Sequence, residues 1–214
     1  MQLEEDDWDR QNQLRINQDR EAIKGKTVSE EQRQWWNNLS DFWKKVFTLL
    51  YYEQGFFTMC SPNNYRGICE YGRTTLEREN DLLLIFSLNA IQVGEAEYST
   101  YCMLPDPLPD LQQLKIESIP ELTYFKNLKQ FWINGAMLED ISAVKNISCD
   151  YLILSDISCN SIAVLEPLLE LKNIRKLGLY INPYLTTVDE TILDEFKMKL
   201  VENLSNKGIS FVDF

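Results

Sequence analysis

The side chains of this sequence that could do chemistry are carboxylates, thiols, lysines and tyrosines, because histidine is absent. Without an imidazole, the Ser-His-Asp and Cys-His nucleophilic arrangements and every histidine-containing metal site are excluded. Acidic pairs stand at Glu139-Asp140 and Asp189-Glu190, but adjacent side chains usually diverge in direction. Both pairs also lie where helix caps or solvated turns are expected. The pattern favours a protein that is not an enzyme, with carboxylate chemistry as the weaker alternative.

Cofactor and metal sites are not indicated by the cysteines or glycines. The cysteines are scattered and form no C-x-x-C pair: Cys60, Cys69, Cys102, Cys149 and Cys159. A cysteine-only metal site needs thiolates that converge in pairs, and an odd count does not suit a disulfide framework. The eight glycines form neither a phosphate-binding loop nor a dinucleotide-binding pattern. We therefore expect no cofactor, no metal, and thiols suited to a reducing compartment.

The net charge of the chain disfavours one class of binding partner, nucleic acid. The chain carries 33 Asp and Glu against 21 Lys and Arg, a net charge of −12. Phosphate backbones attract the opposite sign, so nucleic acid is not an expected partner. Residues 1–7 lack the basic region and apolar stretch of an export signal, and the longest apolar run, at 82–86, is far too short to span a membrane. We expect a cytoplasmic protein that contacts no membrane.

Helices are predicted at both ends of the chain. Residues 1–28 are polar and are expected to form a solvated helix or tail, with an acidic docking arm as the weaker alternative. Ser29-Glu30-Glu31-Gln32 is a capping box that predicts a helix start. Downstream, apolar residues recur at steps of three and four, which predicts one helix or two helices broken near Ser40: Trp36, Leu39, Trp43, Val46, Phe47 and Leu50. A second capping box, Thr187-x-x-Glu190, predicts a helix over 188–204 that stops before Gly208.

Between these helices, apolar-x-apolar pairs recur along the chain, and a last pair follows the second helix. The pairs are Ile91-x-Val93, Leu114-x-Ile116, Phe131-x-Ile133, Leu152-x-Leu154, Leu177-x-Leu179 and finally Ile209-x-Phe211. Between most pairs, apolar residues follow a step of about three, which suits short helices or 3₁₀ turns. The alternation within each pair predicts strands that turn the apolar residues inward and form one parallel sheet.

This pattern over 82–214 resembles leucine-rich repeat proteins of the irregular bacterial type, which carry a Trp-rich helical segment in front, here Trp35-Trp36…Leu39…Trp43-Lys44. Of the family's turn asparagines, this chain has one, Asn182. The resemblance implies an α/β fold: a short solenoid with parallel strands on the concave face and short helices or 3₁₀ turns on the return. It also implies a helical N-terminal cap over 1–79, and a solenoid over 80–214 that ends in a helix–strand cap.

Side chains that flank the inward pairs should face outward on the concave wall. This rule selects the candidate partner-binding residues Lys115, Glu117, Gln130, Trp132, Asn134, Tyr151, Ile153, Ser155 and Tyr180. It places Ala90, Gln92, Gln113, Lys176 and Gly178 on the same face. Trp and Tyr are the residues most enriched in interface hot spots. Two alternatives stay open: the aromatics are covered by the N-terminal segment or by the loop 94–108, or a register shift of one residue exchanges inside and outside.

The sequence thus predicts a non-catalytic protein–protein interaction module. In one hypothesis it resembles bacterial immunity proteins, which bind and neutralise a toxin inside the cell. The target would then be a basic toxin domain, because an acidic surface attracts cationic partners and speeds their capture. In the other hypothesis it is a general scaffold or adaptor of the leucine-rich repeat class, and its acidity keeps it in solution. The gene next to this one would distinguish them.

Overall fold

The computed structural model describes residues 2–53, 72–94 and 114–213, with side chains from residue 9 onward. These residues group into two compact units, 2–53 with 72–88 and 89–94 with 114–213. The boundary expected at 79–80 therefore lies at 88–89. Most of the loop 94–108 and the cysteines Cys60, Cys69 and Cys102 lie outside the described residues.

The first unit is helical and contains α1 (Gln2–Ala22), α2 (Glu30–Asn38), α3 (Asp41–Tyr52) and α4 (Asp81–Ile85). The capping box is confirmed, since the Ser29 hydroxyl accepts from the Gln32 amide at 3.2 Å and the Gln32 side chain accepts from the Ser29 amide at 2.9 Å. Ser40 caps the start of α3, so the predicted break between two helices is also confirmed.

Polar contacts hold α1 against α3. Ile16 is 4% exposed, while the other described side chains of α1 are partly or largely exposed. Arg15 donates to the Tyr51 carbonyl at 2.6 Å, and Asn12 donates to the Tyr52 carbonyl. These carbonyls belong to the last turn of α3, where a helix leaves its acceptors unsatisfied and favours a cation. Residues 1–28, expected as a solvated helix or tail, thus supply a helix that caps its neighbour.

A buried carboxylate explains why α4 belongs to the helical unit. The Asp81 side chain is 1% exposed and accepts from the Arg20 guanidinium at 2.6 and 3.0 Å. The Tyr52 hydroxyl also donates to Asp81, at 2.7 Å. Asp81 therefore links α1, α3 and α4. Removing one partner of such a buried pair typically costs about 3–5 kcal/mol, because a charge is left uncompensated.

The second unit is built on parallel strands. Within residues 89–94 and 114–213, five strands form the main sheet in the order β1 (Ala90–Gly94), β3 (Gln130–Asn134), β5 (Ser148–Ile157), β6 (Asn173–Ile181), β7 (Ser210–Asp213). All neighbouring pairs are parallel. A smaller two-stranded sheet pairs β2 (Leu114–Ile116) with β4 (Ala136–Leu138). Connections include the 3₁₀ turns Ser142–Asn146, Ile162–Val164 and Glu166–Glu170, and the helix α5 (Glu190–Asn206).

The predicted alternation is confirmed in β1, β3, β5 and β6. Ile91, Phe131, Leu152 and Leu177 stand opposite one another on adjacent strands, and each is 0% exposed. The second members of these pairs, two residues further along each strand, are also buried. The register shift of one residue is therefore excluded, and one face of the main sheet forms the core of this unit.

Two strand predictions are wrong. Leu114–Ile116 lies outside the main sheet and pairs with Ala136–Leu138, which follows β3 after a turn at Gly135 (φ 67°). The apolar-x-apolar pattern specifies which face of a strand is buried, but it does not specify the partner strand. In β7, Phe211 and not Ile209 stands opposite Leu177, so the last apolar pair is displaced by two residues.

The predicted cap of α5 is also wrong. Asp189 is the N-cap residue, and its side chain accepts from the Thr191 amide at 2.9 Å. The Thr187 amide instead bonds the Cys159 carbonyl at 3.4 Å, because the preceding loop is anchored to the strand region. The end of the helix agrees with the prediction: α5 stops at Asn206 before Gly208, whose φ of 70° suits a helix terminus.

Candidate functional site

The candidate site is the face of the main sheet opposite its core, here called the outer face. Strand register sets its rows of side chains. It consists of Ala90, Gln92 and Gly94 on β1, Gln130, Trp132 and Asn134 on β3, Tyr151, Ile153 and Ser155 on β5, Lys176, Gly178 and Tyr180 on β6, and Ser210 and Val212 on β7. Seven of the nine predicted partner-binding residues are in this set, because they flank the inward pairs of strands that belong to the main sheet.

Lys115 and Glu117 do not belong to the outer face. Lys115 lies on β2 in the smaller sheet, and its ammonium binds the Glu139 carboxylate at 2.9 Å. This bond raises the pKa of Lys115. Glu117 follows β2 and is exposed. This difference has the same cause as the misplaced strand, because the expected positions of both residues depend on Leu114 lying in the main sheet.

A hydrogen-bond chain fixes the central tryptophan of the outer face. The Trp132 indole Nε1 donates to the Ser155 hydroxyl at 2.8 Å. That hydroxyl donates in turn to the Asn134 side-chain oxygen at 2.7 Å. Register makes this possible, because Ser155 stands directly opposite Asn134 and one row from Trp132. The indole ring is half-buried, and its hydrogen bond to Ser155 restricts its orientation.

Aromatic and apolar side chains continue around Trp132. Ile153 stands opposite Trp132 on the adjacent strand and is half-buried. Tyr151 lies one row away on the same strand and is 47% exposed. Tyr180 is half-buried near the end of β6. These four side chains together offer a large contact area of the kind that binding surfaces use.

Charge is nearly absent from the outer face as defined above. Lys176 is its one formally charged side chain. Acidic groups lie beside the face. One of them is Asp150, which directly precedes the first residue of the face on β5. Its carboxylate binds the Arg175 guanidinium at 3.1 Å. A protein of net charge −12 thus presents an almost uncharged, aromatic sheet surface.

The sequence analysis missed a polar pair at the end of β5. Asp156 has a φ of 51°, in the left-handed region, where the strand register shifts between Leu154 and Ile157. The Asn182 side-chain amide donates to Asp156 Oδ1 at 2.7 Å. Burial raises the pKa of Asp156, although the bond from Asn182 opposes this. The signal that could have found this pair is Asn182 itself, the single turn asparagine of the repeat pattern.

Metal-binding clusters of three or more Asp, Glu, Cys or His are absent from the residues that the structure describes. Cys149 and Cys159 are free, buried thiols, and burial raises the pKa of Cys149 to about 12. In the same described ranges, none of the helices has the length and apolar character needed to cross a bilayer. The chain has no significant match among protein-family models, curated proteins or solved structures.

Proposed function

We propose that this chain is a non-catalytic protein-binding module and that the outer face is its contact surface. The observation that carries the proposal is the fixed Trp132 at the centre of a nearly uncharged, aromatic sheet surface. Cores of protein interfaces are depleted in charged residues and enriched in Trp and Tyr. A few such residues supply most of the binding free energy when they are central and desolvated.

Pre-organisation strengthens this proposal. A side chain that is immobilised on binding costs about 0.5–1.5 kcal/mol of conformational entropy. The bonds from Trp132 to Ser155 and from Ser155 to Asn134 already restrict the indole in the free protein. Trp132 should therefore bind at a lower entropic cost than a freely rotating side chain would.

The fold proposed for this module is a short solenoid of the leucine-rich repeat class, with the main sheet as its concave wall. Support comes from the strands of the main sheet, which follow one another in chain order and pair in parallel. Further support comes from the 3₁₀ turns between β4 and β6, as expected for the return side of such repeats.

The partner proposed is a basic toxin domain, which would make the chain a cytoplasmic immunity protein. A net charge of −12 attracts a cationic protein from a distance and accelerates its capture. The outer face would then form the desolvated centre of the interface, with acidic groups such as Asp150 beside it. This division between a charged surround and an uncharged centre matches the usual anatomy of a protein interface.

Co-production with the domain encoded by the adjacent gene tests this function. We expect the chain to restore growth of cells that produce that domain and to form a complex with it during size-exclusion chromatography. Binding should weaken at high salt, because long-range attraction is screened. Tyr184→Ala is the matched control, since Tyr184 is 93% exposed and lies off the outer face. Binding without protection would indicate an adaptor, and no binding would contradict the proposal.

A further inference from the structure

The helical unit contains an open cavity of about 260 Å³. Its lining comes from the end of α1, the turn that follows α1, and residues 78–81. The Asn80 side-chain amide donates to the Lys26 carbonyl at 3.2 Å and so links these two segments. Pockets for drug-sized ligands measure about 300–1,000 Å³, so this cavity suits a smaller molecule.

One nearly buried guanidinium of the lining keeps an unused donor. The Arg20 side chain is 9% exposed, and its Nε and Nη2 atoms donate to Asp81, with a further bond from Nη2 to Glu77 at 2.8 Å. Nη1 has no hydrogen-bond partner in the described residues, but it is not one of their buried unsatisfied atoms. Nη1 is therefore accessible, and since so little of Arg20 is exposed, that access lies in the cavity that Arg20 lines.

The charged groups of the lining leave one positive charge uncompensated. Both of its carboxylates are paired within the chain, Asp81 with Arg20 and Glu79 with Arg33. Arg78 is exposed and has no ion-pair partner in the part of the chain that the structure describes. In a chain of net charge −12, this cavity thus offers an unpaired guanidinium beside the free Nη1 of Arg20.

We propose that this cavity binds the carboxylate of a small molecule, with Arg78 and Arg20 Nη1 as the donors. The two parallel N–H groups of a guanidinium match the two oxygens of a carboxylate. One uncompensated positive charge balances a monoanion, whereas a phosphate dianion would keep a negative charge without a partner. Ile23 is half-buried and lines the same cavity, so it can contact an apolar group next to the carboxylate.

This site is independent of the proposed function, because none of its residues belongs to the outer face. The experiment is a titration of the full isotope-labelled chain with isovalerate, a branched monocarboxylate, followed through backbone amide resonances at constant ionic strength. Isovaleramide is the uncharged probe of the same shape, and inorganic phosphate is the second anion.

We expect isovalerate to give saturable shifts at the amides of Ile23, Lys24 and Asn80. Its Kd should be about 1–10 mM, within the range that ligand efficiency allows for so few atoms. Isovaleramide should bind at least about 10-fold more weakly, because it lacks the charge-assisted hydrogen bonds. Phosphate should also bind more weakly than isovalerate, since it makes no apolar contact with Ile23.

Variants then assign the donor. Arg78→Gln should bind isovalerate at least about 10-fold more weakly, as for loss of a charge-assisted hydrogen bond. Arg78→Lys should bind about 3-fold more weakly, because it keeps the charge and loses the paired N–H groups. Arg175→Gln, the same substitution at an exposed arginine of the second unit, is the matched control and should leave the Kd unchanged. Melting temperatures should stay within about 2 °C of the parent chain, since these side chains are exposed.

Four results would overturn the proposal. Shifts that do not saturate at these amides would mean that the cavity has no affinity for a carboxylate. Isovaleramide or phosphate binding as tightly as isovalerate would mean that the carboxylate is not what is recognised. Binding by Arg78→Gln equal to that of the parent chain would remove Arg78 from the site. A fall of more than about 5 °C in the melting temperature of Arg78→Gln would mean that Arg78 supports the fold and is not a free donor.

Discussion

The adjacent tyrosines Tyr51 and Tyr52 of α3 are equally buried, at 3% exposure each, but their hydroxyls differ in hydrogen bonding. The Tyr52 hydroxyl donates to Asp81 at 2.7 Å and accepts from the Glu77 amide at 2.9 Å. The Tyr51 hydroxyl is buried and makes no hydrogen bond in the described part of the chain, and burial raises the pKa of Tyr51. A buried polar group without a partner loses its hydration and regains nothing.

Replacing each of these tyrosines with phenylalanine should therefore change stability in opposite directions. Tyr51→Phe should raise the free energy of unfolding by about 1 kcal/mol, because it removes the unsatisfied hydroxyl. Tyr52→Phe should lower it by about 1–3 kcal/mol, because the Asp81 carboxylate and the Glu77 amide each lose a partner. Urea unfolding monitored by tryptophan fluorescence measures both. Changes of the same sign in the free energy of unfolding would contradict this account of the two tyrosine hydroxyls.

Asp156 predicts a dependence of stability on pH. Its pKa is raised in the folded chain above the usual value of about 3.8, because burial disfavours the charged carboxylate. Folding therefore favours the protonated form, so this group costs nothing at pH well below 3.8 and destabilises the fold increasingly as the pH rises through its folded pKa.

Asp156→Asn should remove that cost. The amide oxygen still accepts from Asn182, and asparagine tolerates the left-handed φ of 51°. The free energy of unfolding should match that of the parent chain at about pH 3 and exceed it at pH 7. Chemical unfolding of both proteins across this range measures the difference. A variant that is less stable at pH 7 would show that the charge of Asp156 supports the fold.

At the scale of elements, substitutions at the start of α5 test whether Asp189 or Thr187 caps the helix. Asp189→Ala should cost about 1 kcal/mol, because the Thr191 amide loses its acceptor. Thr187→Ala should cost clearly less, because its hydroxyl makes one long bond, 3.4 Å, to the Asn160 carbonyl. Thermal unfolding of the two variants gives the comparison. Equal losses of stability, or a larger loss for Thr187→Ala, would support Thr187 as the N-cap residue, as the sequence predicted.

Local features of the elements could be predicted from the sequence, because they depend on residues a few positions apart. The capping box at Ser29, the break at Ser40 and the inward pairs such as Phe131-x-Ile133 are of this kind. The partner of β2 and the register of β7 could not be predicted, since they depend on which distant strand lies alongside. The turn at Gly135 decides the first of these.

The same limit applies to the candidate site. The outward direction of Trp132 and Tyr151 follows from alternation, and the sequence predicted it. The bond between Trp132 and Ser155 depends on the register between β3 and β5, which no local pattern encodes. Lys115 was assigned wrongly for the same reason, because a correct alternation was attached to the wrong sheet.

At the scale of the whole molecule, the two faces of the main sheet should respond differently to truncation, because one face forms the core and the other is proposed to bind a partner. Leu152 stands on the core side of β5 and is 0% exposed. Leu152→Ala should lower the free energy of unfolding by about 2–5 kcal/mol, because it leaves a cavity in the core. Trp132, on the opposite side of the sheet, is half-buried, and its truncation should cost far less stability.

The binding constant of Trp132→Ala for the domain encoded by the adjacent gene, measured by titration calorimetry beside its unfolding curve, tests the central claim most directly. The account predicts a loss of about 1–3 kcal/mol in binding free energy with a chain that still unfolds cooperatively near the parent midpoint. Binding unchanged from the parent chain, or a variant as unstable as Leu152→Ala, would contradict it.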